Sequence, residues 1–401
     1  MLISGFRVQM DFELTEEQAM VKKMASAFAQ KEVKPVADRM DRQGIYPTEL
    51  VQRLGEMGFM GMFLPQEFGG SGMDLLSYVV AMEEISKAWA SLAVVMSVQN
   101  SLVCAPILRF GSPAQKKKYL ALLGRGQWLG CYALTEPGSG SDAGSIQTRA
   151  RRVGKDYGLN GNKIFTTNGS RADLAIVYAV TDPAKGKKGI SAFLVETNSP
   201  GFSAGKLEDK LGLRSSETAS LIFEDCRVPR ENLLGEEGEG FRIALATLDG
   251  GRIGIAAQAL GIAQGCLEES VAYAQQRRQF GHAIAEFQAI QWMLADMATE
   301  IDAARLLTYR AAWLVEQGKT VTKEAAMAKL FASETVNRVA YKAIQIFGGY
   351  GYIKEFAVER FFRDARITTL YEGTSEIQRL VIARRLIDGE ENAHEVDGET
   401  F

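Results

Sequence analysis

The run Tyr371-Glu372-Gly373-Thr374-Ser375-Glu376-Ile377-Gln378-Arg379-Leu380 places a carboxylate, Glu372, in a tight loop just ahead of a helix. Ser375 and Gln378 have capping-box spacing, and the apolar run Leu380, Val381, Ile382 follows, so Ser375 is the expected cap. With Ser375 as cap, Glu372 has no capping duty, and it becomes a candidate general base. Taken alone, such a residue is more often a solvated loop glutamate. Histidine offers little competition: the chain has two, His282 beside Phe280 and His394 in the tail.

Other segments have the composition of ligand loops. Residues 132–142, Tyr-Ala-Leu-Thr-Glu-Pro-Gly-Ser-Gly-Ser-Asp, leave a strand and enter a glycine and serine loop. Its backbone N–H groups and hydroxyls suit a ring carbonyl or a phosphate, and a plain turn is the competing reading. No GxGxxG here joins a strand to a helix, and there is no GxxxxGK[ST], which disfavours nucleotide hydrolysis. Phe165-Thr166-Thr167-Asn168-Gly169 ends a strand with an aromatic and two hydroxyls. Arg277-Arg278-Gln279-Phe280-Gly281 ends a helix, where arginines complement the helix dipole. Residues 345–352, Gln-Ile-Phe-Gly-Gly-Tyr-Gly-Tyr, form a glycine-rich break after another helix, which by itself reads as a C-cap.

The elements that must position these residues fall into three textures. Residues 10–127 carry helical patterns, with capping boxes at Thr15/Gln18 and Ser112/Gln115 and Pro113 at a first helical position. Residues 128–235 turn to strands, including the β-rich runs Leu174–Val180 and 190–195. Asn160-Gly161-Asn162 reads as a hairpin turn between Tyr157-Gly158-Leu159 and Lys163-Ile164-Phe165, and Val228-Pro229 closes the region. Residues 236–387 are helical again. There Ile253, Ala256, Leu260, Ala263, Leu267, Val271 and Ala274 form an amphipathic stripe, and Gly261 and Gly265 would admit a close neighbour. Residues 1–9 and 388–401 are terminal extensions, the second acidic and aperiodic.

Composition excludes several classes. A net charge of −3, with Lys116-Lys117-Lys118 as the only conspicuous basic run, gives no electrostatic footprint for nucleic acid. Cys104, Cys131, Cys226 and Cys266 are far apart, without a CxxC pair. That speaks against a metal site or a disulfide framework and suggests reduced thiols in a cytoplasm. The first ten residues lack a basic start followed by an apolar core, so no signal peptide is expected. Residues 88–108 carry no charge, but Ser91, Ser97, Gln99, Asn100 and Ser101 interrupt the run and Pro106 ends it. A helix buried inside a protein fits better than membrane insertion.

Taken together, residues 132–142, 163–169, 277–281, 345–351 and 371–378 resemble, in order and separation, the acyl-CoA dehydrogenase family of flavoproteins, over residues 10–387. Thr247-Leu248-Asp249-Gly250-Gly251-Arg252-Ile253-Gly254 is most similar to the short-chain (butyryl-CoA) branch. The resemblance implies an α+β fold with a helical N-terminal domain (10–127), a middle β-barrel-like domain (128–235) and a C-terminal four-helix bundle (236–387), with FAD as cofactor. By the same resemblance Tyr132, Leu134, Thr135, Gly140, Phe165 and Thr167 would surround the flavin, and Ser141 would sit between flavin and substrate. Arg277, Phe280, Gln288, Gln345 and Gly349 would bind FAD, Arg277, Phe280, Gln345 and Gly349 reaching that of a neighbouring subunit, with Thr374 and Glu376 near their own. A homo-oligomer, usually a tetramer in this family, follows. Phe241, Asp249 and Arg252 would line the CoA thioester arm, and Tyr371 and Gly373 would contact substrate.

The chemistry so implied is α,β-dehydrogenation of an acyl-CoA to the trans-2-enoyl-CoA. Glu372 would take the α-proton while the β-hydrogen leaves as hydride to flavin, and an electron-transferring flavoprotein would accept the electrons. The base works only if burial raises its pKa toward neutrality. Isovaleryl- and long-chain-type members carry their base where this chain has Gly251, and glutaryl-type members have an arginine where it has Ala93, so those branches are disfavoured. Still open are a dehydrogenase of a branched, cyclic, aryl or dicarboxylyl acyl-CoA, an oxygen-using oxidase, and a non-enzymatic flavoprotein.

Overall fold

A computed structural model describes residues 13–387; the terminal extensions, with His394, and residues 10–12 lie outside the described residues. Helix α1 (Glu16–Phe28) starts at its expected box, Thr15 Oγ1 accepting from Gln18 N at 3.2 Å and Gln18 Oε1 from Thr15 N at 3.0 Å. A π-helical turn leads into α2 (Lys34–Gln43). Then come α3 (Thr48–Glu56), α4 (Leu75–Ala88), α5 (Ala90–Ser97), α6 (Ala105–Phe110), α7 (Pro113–Gln115) and α8 (Ala121–Gly124). Ser112 caps α7 as expected, accepting from Gln115 N at 3.2 Å.

The uncharged stretch is one rod, α5 and α6 joined by a π-helical turn at Val98–Cys104, and 89% of its most apolar window is buried inside the protein. The polar residues that interrupt it fasten the rod to neighbouring backbone. Gln99 Nε2 donates to the carbonyls of Leu123 at 2.8 Å and Trp128 at 2.9 Å, and Asn100 Nδ2 donates to Phe59 O at 2.8 Å. Buried amides satisfied in this way are ordinary for a protein core.

The strands are β1 (Gly130–Ala133), β2 (Arg149–Val153), β3 (Asp156–Thr167), β4 (Leu174–Val180), β5 (Ile190–Glu196), β6 (Phe202–Leu207), β7 (Thr218–Val228) and β8 (Leu233–Leu234). They pair in the order β6-β7-β3-β2-β4-β5-β8, with β1 parallel to β4. These strands make up the middle domain's one sheet, in which no pairing joins β6 to the two-residue β8 among the described residues. Alternation gives β4 two buried faces. Ala175, Val177 and Ala179 enter the sheet's own small core, and Leu174, Ile176, Tyr178 and Val180 face the helices.

The hairpin expected at 160–162 is corrected, since β3 runs straight through those residues. The turn is Gly154-Lys155, with Gly154 at φ 64 and Val153 paired to Asp156. Gly161 serves another purpose: a Cβ there would lie 2.6 Å from Thr148 Oγ1, so only glycine fits beside that residue, and the β3–β7 register slips at this point.

The remaining helices are α9 (Gly240–Gln276), α10 (Gln288–Glu316), α11 (Thr322–Phe347), α12 (Ala357–Ile367) and α13 (Ser375–Ile387). Helices α9, α10 and α11 pack on one another, and α12 and α13 pack on α11. The amphipathic stripe expected on α9 is too narrow a description. From Gly251 to Ala263 every residue is buried, because α4 and α5 cover the face that the bundle leaves open. Gly261 allows the approach of α4; a Cβ there would sit 2.3 Å from Glu83 O. Helix α12 ties the region together through Asp364 Oδ1, which accepts from Leu213 N at 2.7 Å, and Arg363 Nη2, which donates to Asp41 Oδ2 at 2.8 Å.

Candidate active site

Glu372 lies between α12 and α13 in left-handed backbone, φ 51, followed by Gly373 at φ 92. A non-glycine residue holds that conformation only where its surroundings impose it. Gln378 helps to impose it: its Nε2 donates to Glu372 O at 3.1 Å and Gly373 O at 3.0 Å. The expected capping box is therefore corrected. Thr374 Oγ1 accepts from Ile377 N at 3.4 Å, while Ser375 is the first helical residue, its hydroxyl buried and unpartnered. The left-handed pair turns the chain one residue earlier than the sequence spacing suggests.

As a residue Glu372 is half-buried, but its Oε2 is sealed from solvent and has no hydrogen-bond partner. Burial pushes the carboxyl up to about 7, against the downward pull of Lys329 and Arg252. Gly251, on α9, makes the space for it: a Cβ there would fall 1.9 Å from Glu372 Oε2. A side chain at 251 and the Glu372 carboxylate would compete for one place.

The neighbours are held by polar contacts from several elements. Arg252 Nη1 donates to Asp249 Oδ1 at 2.8 Å, and Thr322 Oγ1 donates to Asp249 Oδ2 at 2.6 Å. The Tyr371 hydroxyl donates to Gln258 Oε1, and Gln258 Nε2 donates to Ala90 O at 2.9 Å, which links the loop to α9 and α5. Tyr78 and Tyr132 lie close enough for the Glu372 charge to raise their hydroxyls further, beyond the effect of burial. Lys329 Nζ donates to Gly373 O at 2.7 Å. Sequence reasoning missed Lys329, Gln258 and Tyr78. The available signal for Lys329 was its place on the buried face of α11, four residues after Ala325 and seven before Val336.

The middle sheet shapes the other wall. Lys163 on β3 is wholly enclosed, its Nζ donating to Leu134 O at 3.0 Å and Glu136 Oε1 at 2.8 Å, while Ile164 N donates to Thr135 O at 2.9 Å. Burial pushes the Lys163 ammonium down to about 8 despite Glu136. This fastening sets Phe165 at φ 55 with its ring 62% exposed, next to a buried Thr166 hydroxyl without a partner; Thr167 is half-buried. Gly140 has no atom within 4 Å of a Cβ position, and Ser141 is exposed beside it.

A second group is remote from the first. Arg277, Phe347, Gly348, Gly349 and Tyr350 line a cleft of about 530 Å³ at the C-terminal end of α9. Arg277 lies 5.2 Å over the Tyr350 ring, and Phe280, at φ 52, is 91% exposed. Gln288 and Gln345 are exposed nearby in sequence. Twenty-five residues of a single helix separate Arg252 from Arg277, about 37 Å at 1.5 Å per residue. Phe241 is half-buried under Lys187, and the exposed Glu376 lies at the start of α13, where its charge reaches Lys329.

The chain matches the acyl-CoA dehydrogenase N-terminal domain over residues 15–127, the middle domain over 131–226 and the C-terminal domain over 238–387. The chain belongs to the acyl-CoA dehydrogenase family. It is 53% identical over 380 residues to the mitochondrial short-chain specific acyl-CoA dehydrogenase of Mus musculus, covering 95% of this chain and 92% of the relative. The solved butyryl-CoA dehydrogenase of Megasphaera elsdenii superimposes with a TM-score of 0.93 at 49% identity, covering 94% of this chain and 100% of that one. A chain from the structure of the electron transferring flavoprotein of Acidaminococcus fermentans also gives 0.93, at 52% identity and the same coverage.

Acyl-CoA dehydrogenases are FAD-dependent oxidoreductases, and FAD is the cofactor here. The residues present fit it. Phe165 and Phe280 expose large rings, 62% and 91%, of the kind that a flat, apolar group covers. Arg277 beside the open backbone of Gly348 and Gly349 suits a pyrophosphate.

Proposed function

We propose that this acyl-CoA dehydrogenase converts a short-chain, butyryl-CoA-like thioester to its trans-2-enoyl-CoA and passes the electrons to an electron-transferring flavoprotein. The observation that carries this reading is Glu372, whose sealed and unpartnered Oε2 has a proton affinity near neutrality. FAD, when bound, supplies the acceptor for the β-hydrogen and its electron pair. Glu372 Oε2 receives the α-proton, and the electrons of that C–H bond form the new double bond. The backbone N–H of Glu372 is the proposed donor to the thioester oxygen, where charge develops. Arg252, held by Asp249, and Tyr371, held by Gln258, orient the surroundings of the base. The short-chain assignment is supported by the names of the mouse and Megasphaera relatives.

The experiment is anaerobic bleaching of the yellow protein by butyryl-, hexanoyl-, isobutyryl-, cyclohexanecarboxyl- and glutaryl-CoA. Butyryl-CoA is expected to bleach fastest. A faster branched, cyclic or dicarboxylyl substrate would replace the short-chain reading, and rapid reoxidation by air would replace dehydrogenase with oxidase.

The span of α9 supports a cofactor site shared between chains. Arg277 and Phe280 sit too far along the helix to serve the Glu372 pocket of their own chain, so we assign them, with Gln345 and Gly349, to the FAD of a neighbour in a homotetramer. Gln288 is proposed to contact FAD as well. Tyr132, Leu134, Thr135, Gly140, Ser141, Phe165, Thr167, Thr374 and Glu376 are the proposed contacts within the chain. Changing Arg277 and Phe280 together to Ala is expected to remove FAD and dissociate the oligomer, read by absorbance ratio and solution mass. A FAD-free tetramer would count against the shared site. The unpaired thiols Cys104, Cys131, Cys226 and Cys266 are of the kind a reducing compartment keeps, which supports the cytoplasm.

A further inference from the structure

Lys329 is one of two lysines wholly enclosed among the described residues, and no step above uses it. It takes a core position on α11, between the buried Ala325 and Ala332. A buried ammonium is held only by good partners. Here the partner is the Gly373 carbonyl at 2.7 Å, in the peptide that follows Glu372, and Gln378 Nε2 shares that acceptor at 3.0 Å. Two donors from two helices thus grip the segment that holds Glu372 at φ 51.

The charges around the pair come from four elements. Burial pushes the Lys329 ammonium down to about 7; Glu372 from the loop pulls it up, Arg252 from α9 pushes it down, and Glu376 from α13 and Glu334 from α11 itself pull it up. Glu372 is acted on by Lys329 first and Arg252 second, with the hydroxyls of Tyr78, Tyr132 and Tyr371 beside it. Arg252 is already committed to Asp249, which leaves Lys329 as the cation that mainly opposes Glu372.

We propose that Lys329 is a positioning residue for the base: its ammonium pins the Gly373 carbonyl and, from that contact, opposes the cost of ionising the neighbouring Glu372 carboxylate. This rests on Glu372 being the base. The two roles separate cleanly, because the grip needs a donor and the field needs a charge. Without the cation, Glu372 binds its proton more tightly, so the acid limb of kcat/KM moves to higher pH.

The test uses FAD-loaded Lys329→Gln, Lys329→Met and Lys329→Arg, with kcat/KM for butyryl-CoA followed against pH. Gln and Met are expected to raise the acid limb by roughly one pH unit, about tenfold in rate on that limb, and to recover toward the parent at alkaline pH. Arg is expected to leave the limb in place. A lower plateau in all three with an unmoved limb would mean a structural role only and would overturn the proposal. Should the Met variant not fold, the Gln and Arg pair decides. Infrared titration of the Glu372 carboxyl band, identified by its loss in Glu372→Gln, reads the same shift without turnover. An active Glu372→Gln would refute the base itself; an inactive one with an unmoved Lys329 limb overturns only this inference.

Discussion

Glu372→Gln is expected to retain FAD and the folded oligomer while losing at least about 10²-fold in turnover, within the usual worth of a general base. Glutamine matches the shape of the side chain, so the space beside Gly251 stays filled and the loop contacts of Gln378 and Lys329 are untouched. Only the ability to accept a proton at Oε2 disappears. The linkage of charge to stability gives an independent check. The carboxyl titrates at about 7 in the fold against an ordinary 4.5, so ionising it costs the folded state stability as pH rises between those values. Glutamine has no charge to desolvate. The variant is therefore expected to melt no lower than the parent at pH about 8, and higher relative to it there than at pH about 4. Near-parental turnover, or the reverse stability order, would remove Glu372 from its assigned role.

Gly251→Ala is the second large effect. The new methyl would lie 1.9 Å from Glu372 Oε2 and 3.1 Å from Leu102 Cδ2, so the carboxylate must move. Helix propensity works the other way, since alanine in a helix interior is preferred to glycine by about 1 kcal/mol. Stability should thus change little, while kcat/KM falls by about 10²-fold through misplacement of the base. Circular dichroism, FAD content and kcat/KM measured together distinguish this from general damage. A variant with parental kinetics would show that the loop relaxes freely around the base.

The sequence made the helical and strand regions legible where the signal was local. The boxes at Thr15 and Ser112 formed as spaced, and the buried rod was announced by polar residues that its neighbours satisfy. It misled where one local signal had two physical meanings. Asn160-Gly161 has turn chemistry, yet Gly161 is glycine because Thr148 presses on it, and the turn lies at Gly154. The α9 stripe was seen from the bundle side alone, since nothing in that helix reveals that α4 and α5 cover its other face. Around Glu372, the loop could be picked out from the chain, and Gly251 entered through the family resemblance as a position that holds no alternative base. Lys329, Gln258 and Tyr78 meet the loop from positions far away in sequence; for Lys329 only its place on the buried face of α11 set it apart from the solvated lysines of a helix.

The length of α9 has a genetic meaning. In the shared-site arrangement proposed above, one uninterrupted helix carries Gly251 and Arg252 beside a chain's own base and ends, at its C-cap Arg277, at the edge of another chain's cofactor site. In that arrangement a mutation near residue 251 would silence the chain that bears it, whereas one near residue 277 would silence a neighbour. In a cell with two alleles, the first kind behaves as recessive, and the second spreads its damage to normal chains in mixed assemblies. Two defective alleles of opposite kinds can then restore each other, each lending the end of α9 that the other lacks.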